Sequence, residues 1–160
     1  MASGFIILED GRCWARRWTF FDAVIEKICE RISDGDNEFK VFLESALPNE
    51  NDIEMGWGFI RDTDKETVVR TIDLREFAPL NRILFWKAAQ TALAALYQNK
   101  KDKNSEANET LIFGLQLLLK MHKRITKGES PNTLTDWREG YSEPETGNKK
   151  GPGWETISLK

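Results

Sequence analysis

The sequence predicts an α+β fold, in which an antiparallel sheet of about four strands packs against about four helices. Two segments show short β-rich runs on either side of a turn signal, a pattern that is typical of hairpins. Four longer segments place apolar residues at helical spacing. A chain of 160 residues has the usual size of one domain, and a domain of that size buries roughly 70% of its unfolded surface.

The hairpins are expected at about residues 4–18 and 53–75. In the first, β-rich runs flank Asp10-Gly11, a dipeptide that suits a tight two-residue turn. In the second, apolar residues recur at every other position from Ile53 onward, and a polar turn follows. We expect the two hairpins to join into a single antiparallel sheet with one face covered by helices.

Four helices are expected, at about residues 20–33, 37–47, 79–98 and 109–127. Thr19 and Asp22 have the spacing of a capping box at the start of the first helix. Pro79 suits the first turn of the third helix, because proline has no backbone N–H to leave unsatisfied there. Residues 1–127 are therefore predicted to form one α+β domain.

The chain changes character at Gly128. Residues 128–153 contain five of the eleven glycines and three of the five prolines, with Trp137 and Tyr141 as the main apolar side chains. Such a composition predicts a tail, 128–160, without regular structure. Its aromatic residues could dock it on the domain, or a partner could order it.

Composition restricts the environment and the partners. No apolar run approaches the ~20 residues that cross a bilayer, and no basic region precedes the apolar segment near the N-terminus, so neither a membrane partner nor a secretory signal is expected. We expect a soluble cytoplasmic protein with two reduced cysteines. The net charge of −3 argues against general affinity for nucleic acid, which requires a positive surface.

The residues that usually move protons or bind metals are scarce. The chain has one histidine and two cysteines, so the only Cys/His pairs are Cys13 or Cys29 with His122, and His122 lies in a leucine-rich helix where a structural role is commoner. We therefore expect no catalytic activity, no metal and no cofactor. A hydrolase remains one alternative, because two carboxylates from distant segments could converge into an active site.

An arginine and tryptophan strand is the first candidate contact. Alternation along a strand places Arg12, Trp14, Arg16 and Trp18 on one face. Interleaved arginine and aromatic side chains can stack on bases and hold phosphates, so a nucleic-acid-binding module is a second alternative. The tryptophans could instead pack in the core while the arginines extend to solvent, or the face could contact a protein.

An acidic block is the second candidate contact. Residues 41–60 contain Glu44, Glu50, Asp52 and Glu54 but no lysine or arginine. The same segment carries Trp57, so charge could attract a basic partner and an aromatic side chain could then anchor it. The simpler interpretation is a solvated loop.

Together these features predict a non-catalytic protein-binding domain. The chain is similar in size and charge to the bacterial immunity proteins that neutralise a basic toxin by covering it. The sequence leaves the oligomeric state open. The predicted partner-binding residues are Trp14, Arg16, Trp18, Glu50, Asp52, Glu54 and Trp57.

Overall fold

The computed structural model describes residues 3–33, 35, 37–99 and 106–129. Within these residues it confirms the predicted α+β class with four helices. Six short strands form two three-stranded sheets, where the sequence predicted one sheet of about four strands. The predicted tail lies outside the described residues from position 130 onward.

Strands and helices follow one another in a mixed order. The first sheet contains β1 (Ser3–Ile7), β2 (Cys13–Arg17) and β6 (Thr71–Asp73), and the second contains β3 (Ile53–Glu54), β4 (Gly58–Ile60) and β5 (Thr67–Val69). The helices are α1 (Trp18–Cys29), α2 (Asn37–Glu44), α3 (Pro79–Asn99) and α4 (Glu106–Thr126), and a 3₁₀ turn at Leu74–Glu76 follows β6.

The first hairpin forms where it was predicted, but its loop is longer. Leu8 and Arg12 close the loop, since the Leu8 N–H donates to the Arg12 carbonyl at 2.9 Å. Three residues therefore form the connection, and Gly11 has a φ of 93°. A three-residue loop that ends in a residue of positive φ is a common hairpin connection, and glycine adopts positive φ readily. The predicted two-residue turn was wrong, but the glycine has the same conformational role.

The second predicted hairpin divides at Arg70, so the prediction of a single return strand to residue 75 was wrong. The backbone N–H of Arg70 donates to the Trp57 carbonyl at 3.2 Å, while the Arg70 carbonyl accepts from the Phe5 N–H at 2.9 Å. The residues before Arg70 thus pair with β4, and those after it run parallel to β1. One antiparallel sheet is replaced by two sheets because the chain crosses between them at this residue.

Helices cover the first sheet and form the core with it. A side chain at Gly4 would collide with Phe21 of α1, so glycine permits this close approach. The Trp14 indole N–H donates to the Gly114 carbonyl of α4 at 2.9 Å. Helix α3 contacts both α1 and α4, and Leu115 of α4 is fully buried in the resulting core.

The bounds of all four helices differ from the predicted ones, by one to four residues at the ends that do not match. Helix α1 begins at Trp18, two residues early, and no side chain caps its N-terminus. Asp22 does not form the predicted capping box because its carboxylate binds Arg70 instead. Helix α4 ends at Thr126. Gly128 follows shortly afterwards with a φ of 79°, a left-handed conformation that commonly ends helices. No helix in the described ranges combines the length and apolar character that crossing a bilayer requires.

Candidate functional site

The arginine and tryptophan strand is buried. Trp14 is fully buried, Arg16 is 5% exposed, and the Arg16 guanidinium lies 5.0 Å from the centre of the Phe113 ring. Arg12 is also buried and bonds to Asp10 at 2.8 Å. The strand therefore contributes to the core on both of its sides. The nucleic-acid alternative depended on an exposed basic face, but Arg12 and Arg16 are buried. Trp14 and Arg16 are therefore not available as surface contacts.

The buried guanidinium of Arg70 binds two carboxylates that are partly exposed, Asp22 and Glu54. Its Nε and Nη2 donate to the two oxygens of Asp22 at 2.8 and 2.9 Å, and Nη2 also donates to Glu54 at 2.8 Å. Its Nη1 donates to the Gly56 and Gly58 carbonyls at 3.0 and 3.1 Å. All five N–H donors of the guanidinium are thus satisfied.

Two of the predicted contact residues contact Arg70. Trp18 is the first residue of α1, and the Arg70 guanidinium lies 4.7 Å from the centre of its ring. The hydrogen bond from Arg70 lowers the pKa of Glu54 below its ordinary value. The hydrolase alternative required two carboxylates from distant segments to lie close together. Asp22 and Glu54 do so. Both bind the same arginine, so the geometry favours a structural network over an acid and base couple.

Asp52 holds a loop in place. Its carboxylate accepts from the Asn49 and Asp62 backbone N–H groups at 2.7 and 2.9 Å and pairs with Arg61 at 3.0 Å. The hydrogen bond from Asn49 is the main reason that the pKa of Asp52 is lowered. Among the described residues, Glu50 is the only one of the three predicted acidic contacts that is exposed and has no ion pair.

One face of the second sheet is apolar and exposed. The strand register places Ile53, Ile60 and Thr67 side by side and Val69 opposite Gly58. Met55 extends this row, because its N–H donates to the Gly58 carbonyl at 2.9 Å. We call these residues the outer sheet face: Ile53, Met55, Ile60, Thr67 and Val69. Ile53, Met55 and Val69 are 53%, 42% and 54% exposed.

Exposed acidic residues lie in the segments that connect the strands of the second sheet or precede it. Glu50 precedes β3, while Asp64 and Glu66 lie in the connection between β4 and β5, and all three are exposed. Trp57 lies in the connection between β3 and β4 and is 42% exposed. Two of the predicted contact residues in the acidic block, Glu50 and Trp57, are therefore exposed and can reach a partner.

The second candidate site is a concave region around His122, which we call the His122 groove. It has a volume of about 470 Å³ and is lined by Glu9, Pro79, Arg82, Ile83, Trp86, Lys87, Gln90 and His122. The Trp86 indole N–H donates to Glu9 Oε2 at 2.7 Å. The Trp86 and His122 rings stack with their centres 3.9 Å apart. Three distant segments therefore meet here: the β1–β2 loop, α3 and α4.

Two polar atoms in the His122 groove face each other without a hydrogen bond. Glu9 Oε1 and His122 Nδ1 are enclosed by protein, and they lie 3.9 Å apart, which is too long for a hydrogen bond. Burial lowers the pKa of His122, and the nearby Glu9 acts against this effect. The imidazole is consequently neutral at pH 7.

Neither cysteine can act with His122. Cys13 and Cys29 are buried and free, and burial raises the pKa of both thiols to about 12. A thiol with so high a pKa supplies almost no thiolate near neutral pH. Neither cysteine lines the His122 groove, so burial and position both argue against the Cys/His pairing that the sequence allowed.

The pKa of His122 is a direct test of this geometry. We expect a value below the ordinary 6.5, and Glu9→Gln should lower it further, because the substitution removes the negative charge that favours the imidazolium. An NMR titration measures the value cleanly, since the chain has one histidine. A pKa of 6.5 or higher, or a rise in the Glu9→Gln variant, would contradict the arrangement.

The same shift predicts a pH dependence of stability. Because the folded-state pKa of His122 is lowered, the unfolded chain binds more protons once the pH falls below 6.5, and the free energy of unfolding decreases. The decrease ends below the folded-state pKa, where both states are protonated. His122→Gln should abolish this contribution, and urea unfolding of both proteins between about pH 7.5 and 5 measures the difference.

Comparisons with known proteins add no assignment. No family model matches the chain, and searches of curated proteins and of solved structures find no significant match. Within the described residues, no group of three or more histidine, cysteine, aspartate or glutamate side chains could hold a metal ion. The outer sheet face and the His122 groove therefore stand as candidate sites on their geometry alone.

Proposed function

We propose that the chain is a non-catalytic binding domain, and that its contact surface is the outer sheet face. The observation that carries this proposal is the exposure of three apolar side chains on one face of the sheet, with Ile53 and Met55 on one side of the central strand and Val69 on the other. Contiguous apolar patches on soluble proteins commonly mark interaction sites. Covering such a patch removes apolar surface from water at about 25 cal/mol per Å², which favours association.

The shape of the surface also suits a protein partner. A side chain at Gly58 would collide with the Val68 carbonyl oxygen, so the central strand carries none at this position, and Met55 and Val69 flank its backbone there. A flat apolar centre with a polar rim is the usual anatomy of a protein interface. Trp57 lies in the adjoining connection and could extend the contact.

Charge identifies the partner class. Residues 50–70 contain six acidic and three basic residues. Two of the basic residues, Arg61 and Arg70, are already bound to carboxylates of the domain. The exposed rim formed by Glu50, Asp64 and Glu66 therefore favours a partner with a basic border around an apolar centre. A small basic toxin, neutralised by being covered in the cytoplasm, is the partner that we propose.

Photo-crosslinking tests this proposal. A photoreactive amino acid at Val69 should give one adduct with a basic protein in a lysate of the native host, and an excess of unlabelled wild-type protein should abolish it. Unlabelled Ile53→Ser/Val69→Ser protein should not compete. The adduct should weaken as salt rises from about 50 to 500 mM, because salt screens the acidic rim. The same group at Thr91, an exposed position on α3, is the matched control.

Three results would overturn the proposal. Equal adducts from Val69 and Thr91 would show that the outer sheet face has no special role. Competition by the Ile53→Ser/Val69→Ser protein would place the contact elsewhere. An adduct with a second copy of the chain would make the face a dimer interface.

A further inference from the structure

The His122 groove has features of a ligand site that are independent of the outer sheet face. Its volume of about 470 Å³ lies within the range of roughly 300–1,000 Å³ that is typical of small-molecule sites. It contains an enclosed carboxylate oxygen and an enclosed imidazole nitrogen without hydrogen bonds. Enclosed polar atoms in folded proteins nearly always have partners, but these two atoms face each other without a hydrogen bond, which constrains the position of the His122 proton.

The position of the His122 proton follows from its surroundings. If Nδ1 carried a lone pair, that lone pair would face the lone pairs of Glu9 Oε1 at 3.9 Å, which is electrostatically unfavourable. The neutral ring therefore carries its proton on Nδ1 and a lone pair on Nε2. Nε2 forms no hydrogen bond with the described residues and is not fully enclosed, so it can accept a hydrogen bond from a group in the groove.

The opposite side of the groove is positively charged. Arg82 donates through Nε to the Phe77 carbonyl at 3.1 Å, which fixes the direction of its guanidinium. Within the described part of the chain, neither Arg82 nor Lys87 forms an ion pair. With His122 neutral and Glu9 negative, the lining side chains sum to a charge of about +1, in a chain of net charge −3.

We propose that the His122 groove binds a small organic anion that also carries hydroxyl groups. Arg82 and Lys87 attract the phosphate or carboxylate, and His122 Nε2 accepts a hydrogen bond from a ligand hydroxyl. Ile83 and Pro79 contact the carbon skeleton. Glu9 is a positioning residue, because it holds the Trp86 indole and sets which nitrogen of His122 is protonated. The proposal does not depend on the protein partner.

NMR of the single histidine provides the readout. Glycerol 3-phosphate should shift the His122 ring signals in a saturable manner. n-Propyl phosphate, which has the phosphate but no hydroxyl group, should bind up to about tenfold more weakly, because it lacks a hydrogen bond that contributes ~0.5–1.5 kcal/mol. In the bound state the proton should remain on Nδ1, which a long-range nitrogen–proton correlation spectrum distinguishes from protonation at Nε2.

Charge variants test the other half of the site. Arg82→Gln/Lys87→Gln should weaken glycerol 3-phosphate binding by up to about thirtyfold, since each of the two exposed charge–charge contacts contributes up to ~1 kcal/mol. Arg75→Gln/Lys65→Gln removes the same charge at exposed positions away from the groove and should bind as the wild type does. The proposal is overturned if both phosphates bind equally, if no shift occurs at about 50 mM ligand, or if both double variants bind alike.

Discussion

Replacing Arg70 with methionine is expected to lower the free energy of unfolding by about 2–4 kcal/mol, because it leaves two partly exposed carboxylates and two carbonyls without a donor. Arg70 is fully buried and donates to two carboxylates and two carbonyls. Methionine would fill part of the volume but would leave those four acceptor groups without their donor. The lost side-chain bonds connect α1 with β3 and β4, so the second sheet should lose its attachment to α1.

Arg75→Met is the matched control for this variant. Arg75 also forms a two-point contact with its carboxylate partner, through bonds of 2.9 and 2.8 Å to Asp73, but its side chain is 45% exposed. Exposed ion pairs contribute about 1 kcal/mol or less. Urea unfolding of both variants measures the difference, and equal losses of stability would show that Arg70 does not attach the second sheet to α1.

Replacing Trp14 with alanine is expected to cost about 3–5 kcal/mol, because the change leaves a cavity in the core and removes the largest apolar side chain there. The Trp14 ring is fully buried between the first sheet and α4, and its indole N–H bonds to the Gly114 carbonyl. The variant would also leave that carbonyl without its side-chain donor.

Trp57→Ala is the comparison for Trp14→Ala. The same atoms are removed, but the Trp57 side chain is 42% exposed, and a cost of about 1 kcal/mol or less is expected. Chemical unfolding at one pH measures both. If Trp57→Ala were the more damaging change, the assignment of one tryptophan to the core and the other to the surface would be incorrect.

The positions of the helices could be predicted because they depend on local patterns. Apolar spacing identified all four, and Pro79 begins α3 as expected. The division of the sheets could not be predicted, since it depends on the backbone of Arg70 bonding to both Trp57 and Phe5, and Phe5 lies far away in the sequence. One local signal was present: the adjacent valines before Arg70 interrupt the alternation of a single strand.

The candidate sites were harder to predict than the fold. Alternation grouped Trp14 and Arg16 on one face correctly, but it could not show that the face is covered by helices. Charge counting identified an acidic block, yet Asp52 and Glu54 bind arginines that are distant in sequence. Glu9 and Trp86 carried no recognisable motif, because only the tertiary fold brings them to His122.

Because Asp52 and Glu54 form ion pairs within the domain, they are unsuitable positions for substitutions that test partner binding. Lysine at Asp52 or Glu54 would break a structural interaction, so a loss of binding would be ambiguous. Glu50 and Glu66 are exposed and can be reversed without that effect. Asp64 should be retained, because its carboxylate accepts from the Glu66 N–H at 3.0 Å and holds the turn.

Binding kinetics with the crosslinked partner test the role of the outer sheet face most directly. At low salt, Glu50→Lys/Glu66→Lys should slow association by about tenfold or more, because the acidic rim acts during encounter, and dissociation should change little. Ile53→Ser/Val69→Ser should instead speed dissociation by about tenfold or more, because apolar contacts act after encounter. If both variants keep the wild-type association and dissociation rates, the outer sheet face is not the contact surface.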